Sequence, residues 1–161
     1  MKKILLLFFT LFFMQASNAE ILRTGISIND VPDALYGSWR VQADLDTTNA
    51  PATFKGKSID FWNLSRVMDK VTLHNPFSGA KAEISVQTIE GNLVVFSKKL
   101  PYDGNKILTD TVSLRLEDDK FTGINSLKLE YFSLVDNHLM KTETATYHIK
   151  GEKIAGDSII K

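Results

Sequence analysis

The sequence predicts an all-β domain, an antiparallel up-and-down β-barrel of about eight to nine strands with a short helical turn before the first strand. Three observations carry this reading. Beyond residue 37 apolar and polar residues alternate with a period of two, most runs are separated by short turn chemistry, and almost no stretch carries a helical stripe.

The first 19 residues stand apart from the domain. Lys2 and Lys3 precede an unbroken apolar run from Ile4 to Met14, and Ser17-Asn18-Ala19 places small residues at the −3 and −1 positions of a cleavage site, the layout of a secretory signal peptide. The run of 11 residues is well short of the roughly 20 that a spanning helix needs. An exported chain starting at Glu20, periplasmic or secreted and without a transmembrane segment, is therefore expected. It would have 142 residues, enough for one domain with its own core. There is no cysteine, which excludes disulfides, thiolate metal sites and a lipid anchor on an N-terminal cysteine. Loss of Lys2 and Lys3 leaves 17 basic against 19 acidic residues, a charge of −2. A weakly acidic, evenly mixed surface has no drive toward nucleic acid.

Residues 20–36 form a lead-in segment. Its polar, aperiodic start gives way to Asp30-Val31-Pro32-Asp33-Ala34-Leu35-Tyr36-Gly37, where an N-cap residue, a first-turn proline and a closing glycine suit one helical turn. The single domain follows from residue 37 to residue 161. Gly37, Trp39, Val41, Ala43 and Leu45 alternate with Ser38, Arg40, Gln42 and Asp44, a strand with one apolar and one polar face. Further strands are predicted over 57–64, 70–74, 81–89, 92–100, 107–117, 120–135, 138–150 and 153–160. Turns fall at Ser78-Gly79, Gly91-Asn92, Asp103-Gly104-Asn105, Asp118-Asp119, Asp136-Asn137 and Gly151-Glu152. Leu64, Val67, Met68 and Val71 have helical spacing, but the β-branched context after Asp69 favours a hairpin turning at Met68-Asp69. Glycines at Gly123 and Gly156 each lie two residues after an apolar strand-starter, the position of a bend or a close backbone approach.

So many strands with so little helix must close on themselves or stack, and short meander turns favour closure. A barrel of about eight strands is filled by side chains or holds one small ligand. Tyr36-Gly37-Ser38-Trp39-Arg40-Val41, opening the first strand after a short turn, resembles the G-x-W signature of the lipocalin and wider calycin barrels. That resemblance implies a tryptophan packed across the closed end and a small hydrophobic ligand at the open one. The family's T-D-Y loop motif has no counterpart here, and its late arginine is missing, the nearby cations being Lys150 and Lys153. Periplasmic proteinase inhibitors with small barrels open on a comparable tryptophan.

Phe61, Phe96, Tyr131 and Tyr147 are the residues expected to line a ligand cavity, against the plainer role of aromatic core. In Asp60-Phe61-Trp62-Asn63-Leu64-Ser65-Arg66 both strand faces are apolar, so Trp62, Leu64 and Arg66 are candidates for a partner-binding surface.

Local signatures of catalysis are lacking. His138 and His148, on one predicted strand, are separated by roughly 33 Å and cannot share a metal. Ser78 has no G-x-S-x-G frame, Asp118-Asp119 occupies a solvated hairpin tip, and Asp44-Leu45-Asp46 lacks the glycine and terminal glutamate of a calcium loop. The expectation is an exported non-enzymatic barrel, without metal or cofactor, that binds a small apolar or amphipathic ligand. The alternative is an envelope or secreted protein-interaction module of the proteinase-inhibitor kind.

Overall fold

The computed structural model describes residues 26–156 and the backbone of residues 159 and 160. The expected signal peptide lies outside the described residues. Two 3-10 turns, Ile28–Asp30 and Asp33–Leu35, precede β1 (Gly37–Thr48). They replace the single turn expected from Asp30 onward, because Pro32 has no N–H to continue the first turn and Asp30 is occupied in accepting from the backbone N–H of Ser27 at 3.1 Å.

The strands follow as β2 (Lys57–Val67), β3 (Lys70–His74), β4 (Lys81–Glu90), β5 (Leu93–Pro101), β6 (Lys106–Glu117), β7 (Lys120–Phe132), β8 (Leu139–Ala155) and β9 (Ile159–Ile160). Each of β1 to β8 is antiparallel to its neighbours in sequence, and β8 returns to pair with β1, so eight strands form a ring. β9 adds a short parallel pairing to β2 at Arg66 and Val67. The two-residue turns at 68–69, 91–92 and 118–119 lie where their chemistry puts them, and Met68, Gly91 and Asp118 hold the left-handed conformation that such turns require.

β1 and β2 run on to Thr48 and Val67, three residues past the expected ends, and β7 and β8 also depart from expectation. β7 ends at Phe132 rather than Val135. β8 runs unbroken through Gly151 and Glu152, so the expected turn there and the separate strand over 153–160 are corrected: residues 153–155 complete β8, and only 159–160 form β9. Gly151 has no positive φ. It lies opposite Phe121 in the inward row, and a Cβ there would overlap the Phe121 ring. The glycine thus serves a close approach, as Gly123 does against Ser113 and Leu114 on β6.

Trp39, Trp62, Phe96 and Phe121 fill the end of the barrel beneath the 3-10 turns. Trp39 is fully buried and donates its indole N–H to the Leu35 carbonyl at 2.9 Å, tying the lead-in to the core. Phe121 is wedged between Trp39 and Trp62, with ring centroids at 5.0 and 5.9 Å. Lys153 stands 5.3 Å over the Trp39 ring, a cation on an aromatic face.

Candidate ligand groove and the barrel interior

Strand alternation sorts the candidate residues into inward and outward rows. Phe96 faces inward, buried, with its ring 6.4 Å from that of Trp62. Tyr147 is buried in the inward row of β8, where its hydroxyl donates to the Lys55 carbonyl at 3.0 Å and holds the β1–β2 loop at the end opposite the 3-10 turns. Tyr131 is half-buried, between the ammonium groups of Lys106 and Lys141 at 5.2 and 5.3 Å. Phe61 points outward and packs on Phe77 at 4.6 Å, so it does not join the other three.

The partner surface proposed around Trp62 is corrected by the same alternation. Trp62 and Leu64 are buried, since pairing of Trp39 with Trp62 and of Gly37 with Leu64 puts them in the inward row. Two-sided apolarity in β2 was legible; which side closes into the core was not. Arg66 is half-buried, donating to Asn29 Oδ1 at 2.7 Å and to the Met68 carbonyl at 3.2 Å, so it fastens the lead-in to the β2–β3 turn.

Above the aromatic layer the inward rows turn polar. Lys98 on β5 meets Asp110 on β6 at 3.2 Å, and Asn125 on β7 donates to the same carboxylate. Glu143 on β8, 4 % exposed, accepts from the Tyr131 hydroxyl at 2.7 Å and from Lys141. The Lys141 and Tyr131 donors, with Thr53 behind them, hold the Glu143 carboxyl well below the usual range, at about 2. Charges inside a barrel persist only when matched in this way, because unpaired burial is costly.

The wall itself is uneven. β6 and β7 pair over their whole lengths, whereas the β4–β5 ladder joins only Ser85–Glu90 to Leu93–Ser97. A register shift between Val86 and Thr88 marks a bulge at Gln87, and bulges bend the strand that carries them. Beyond it Lys81–Ile84 and Lys98–Pro101 continue without ladder partners across the seam. A groove of about 580 Å³ occupies this region, lined by Ile26, Ile28, Val31, Val71, Ile84 and Val86 together with Lys98 and Lys99. Residues of both rows of β4 and β5 border it, Ile84, Val86 and Lys98 of the inward row and Glu83, Ser85, Ser97 and Lys99 of the outward row.

Sequence reasoning missed these residues because a seam is a property of pairing. One signal was present: the inward alternation Ala82, Ile84, Val86 slips to Ile89, the mark of an inserted residue. Two further open grooves, of about 440 and 730 Å³, lie along β1–β2 and across β5 to β8. Phe96, Tyr131 and Tyr147 line none of the three.

Among the described residues no helix is long and apolar enough to cross a membrane, and no group of three or more metal-ligating side chains is assembled. Comparison of the chain with protein-family models, curated proteins and solved structures finds no match.

Proposed function

We propose that the chain is an exported, non-enzymatic barrel that binds one small amphipathic molecule in the β4–β5 groove. The observation that carries this reading is a groove of about 580 Å³ bordered by six aliphatic residues, of which Ile26, Ile28 and Val86 stay half-buried, and by Lys98. That volume falls within the range of about 300–1,000 Å³ typical of small-molecule sites. An apolar tail lying on Ile26, Ile28 and Val86, which stay half-buried, leaves water at roughly 25 cal/mol per Å². Lys98 gives one hydrogen bond direction to Asp110 and has further N–H donors for a polar head. The hydroxyls of Ser85 and Ser97 stand at the same seam. The resemblance of Gly37 to Val41 to the lipocalin opening agrees with a carrier role, and the leader at residues 1–19 supports export.

Native mass spectrometry of the exported protein, joined to titration with 1-anilinonaphthalene-8-sulfonate, tests the reading. A co-purified amphiphile or saturable probe binding is expected, and Val86→Trp should weaken it by about tenfold by filling the groove. No bound molecule together with no probe binding would remove the carrier role. Recovery of a chain that does not start at Glu20 would remove the export step as read.

A further inference from the structure

Of the ten large apolar side chains that stand exposed among the described residues, eight lie at the barrel end opposite the 3-10 turns. The two most exposed, Leu134 at 87 % and Val135 at 96 %, occupy the tip of the β7–β8 hairpin. Leu139 and Met140 follow on the rising strand, and Tyr102 stands on the neighbouring β5–β6 hairpin. These two hairpins are joined: the Phe132 N–H donates to the Asn105 carbonyl at 2.9 Å, and the Asn105 amide donates back to the Phe132 carbonyl. Their apolar tips are thus carried on one fork.

Three N–H groups of the tip are bonded within it. The Ser133 N–H donates to the His138 carbonyl at 2.9 Å, the Asn137 N–H to the Ser133 carbonyl at 3.0 Å and the Val135 N–H to Ser133 Oγ at 3.2 Å. Asp136 and His138 face each other at 2.6 Å. N–H groups bonded in this way are not free to add a strand of a protein partner to the hairpin. The same satisfaction is the condition for leaving water for lipid, where backbone groups find no solvent. Behind the tips, Lys106 and Lys141 flank Tyr131 and are paired with Asp103 and Glu143.

We propose that this fork docks the protein on a membrane, Leu134 and Val135 entering the interfacial layer of a lipid bilayer with Leu139, Met140 and Tyr102 at its edge. The Asp136–His138 pair confines entry to the boundary between head groups and chains, about 5–10 Å deep. The site is separate from the β4–β5 groove and stands whether or not that groove holds a ligand.

The test uses protein recovered after export and vesicles of phosphatidylcholine with phosphatidylglycerol. Wild type should co-sediment with vesicles, and the double variant Leu134→Ser/Val135→Ser should partition about tenfold more weakly or worse, with an unchanged circular-dichroism spectrum because neither side chain packs on the core. A Val135→Trp variant reads the tip alone, independent of any apolar residues at the N-terminus. Its emission should move to the blue on vesicle addition and be quenched by brominated lipid. The proposal is overturned if the double variant binds vesicles like wild type, if the emission of the Val135→Trp variant is unmoved by vesicles, or if position 135 cross-links to an envelope protein while wild type ignores vesicles.

Discussion

Replacing Gly151 by alanine probes how the closed end of the barrel is packed. Gly151 lies in the inward row of β8, opposite Val41 on one side and Phe121 on the other. A methyl group there would overlap three carbons of the Phe121 ring. The ring has no room to retreat: it is 1 % exposed, with Trp39 at 5.0 Å and Trp62 at 5.9 Å. Since φ at Gly151 is not positive, alanine carries no backbone penalty of its own. Overpacking a filled core costs about 1–3 kcal/mol, and a ring held between two indoles puts this site near the upper end, about 3 kcal/mol. For a domain of this size that lowers Tm by about 12 °C, at about 4 °C per kcal/mol. Urea and thermal unfolding followed by tryptophan fluorescence measure it. Phe121→Ala alone should cost about 3–5 kcal/mol. In that background Gly151→Ala should change stability by less than about 0.5 kcal/mol, because the methyl enters vacated space. A Gly151→Ala penalty that survives intact without the Phe121 ring would refute the close-approach account.

Three more outcomes follow from the same structure. Trp62→Ala should cost about 3–5 kcal/mol in urea unfolding, as expected of a core residue and not of a surface anchor; a loss under about 1 kcal/mol would contradict its inward placement. Met68→Gly should raise stability by about 0.5–1 kcal/mol, since Met68 has φ 56 and is exposed, so glycine relieves left-handed strain without losing packing. The depressed carboxyl of Glu143 makes a contribution to stability that is complete above its unfolded value, near 4.5, and is lost as pH falls toward about 2. Urea midpoints measured across that window should fall less steeply for Glu143→Gln than for wild type, and parallel curves would show that the Lys141 and Tyr131 bonds do not set the acid limb.

The strand count, the turn positions and the short helical entry were legible in the sequence because each is local. Alternation of period two and residues tolerant of positive φ at Gly91, Asp118 and Asn137 act over a few residues, and the barrel assembles them largely as read. The candidate site was much less legible. Of the four aromatics expected to share a cavity, Phe96, Tyr131 and Tyr147 face inward while Phe61 packs outside on Phe77, and the groove with the aliphatic lining is bounded by Ile84, Val86 and Lys98 instead.

Alternation separates the two faces of a strand but carries no sign, so in β2, apolar on both sides, only pairing of Trp39 with Trp62 decides which face the barrel encloses. Gly151 looks like a turn to its neighbours in sequence. Its real constraint comes from Phe121, 30 residues earlier on the adjacent strand. The β4–β5 seam has the same character, since a bulge at Gln87 opens a groove only once β5 is beside it. Local chemistry by itself determined that this chain makes strands and where it turns; contacts between residues distant in sequence decided what is inside and where the wall parts.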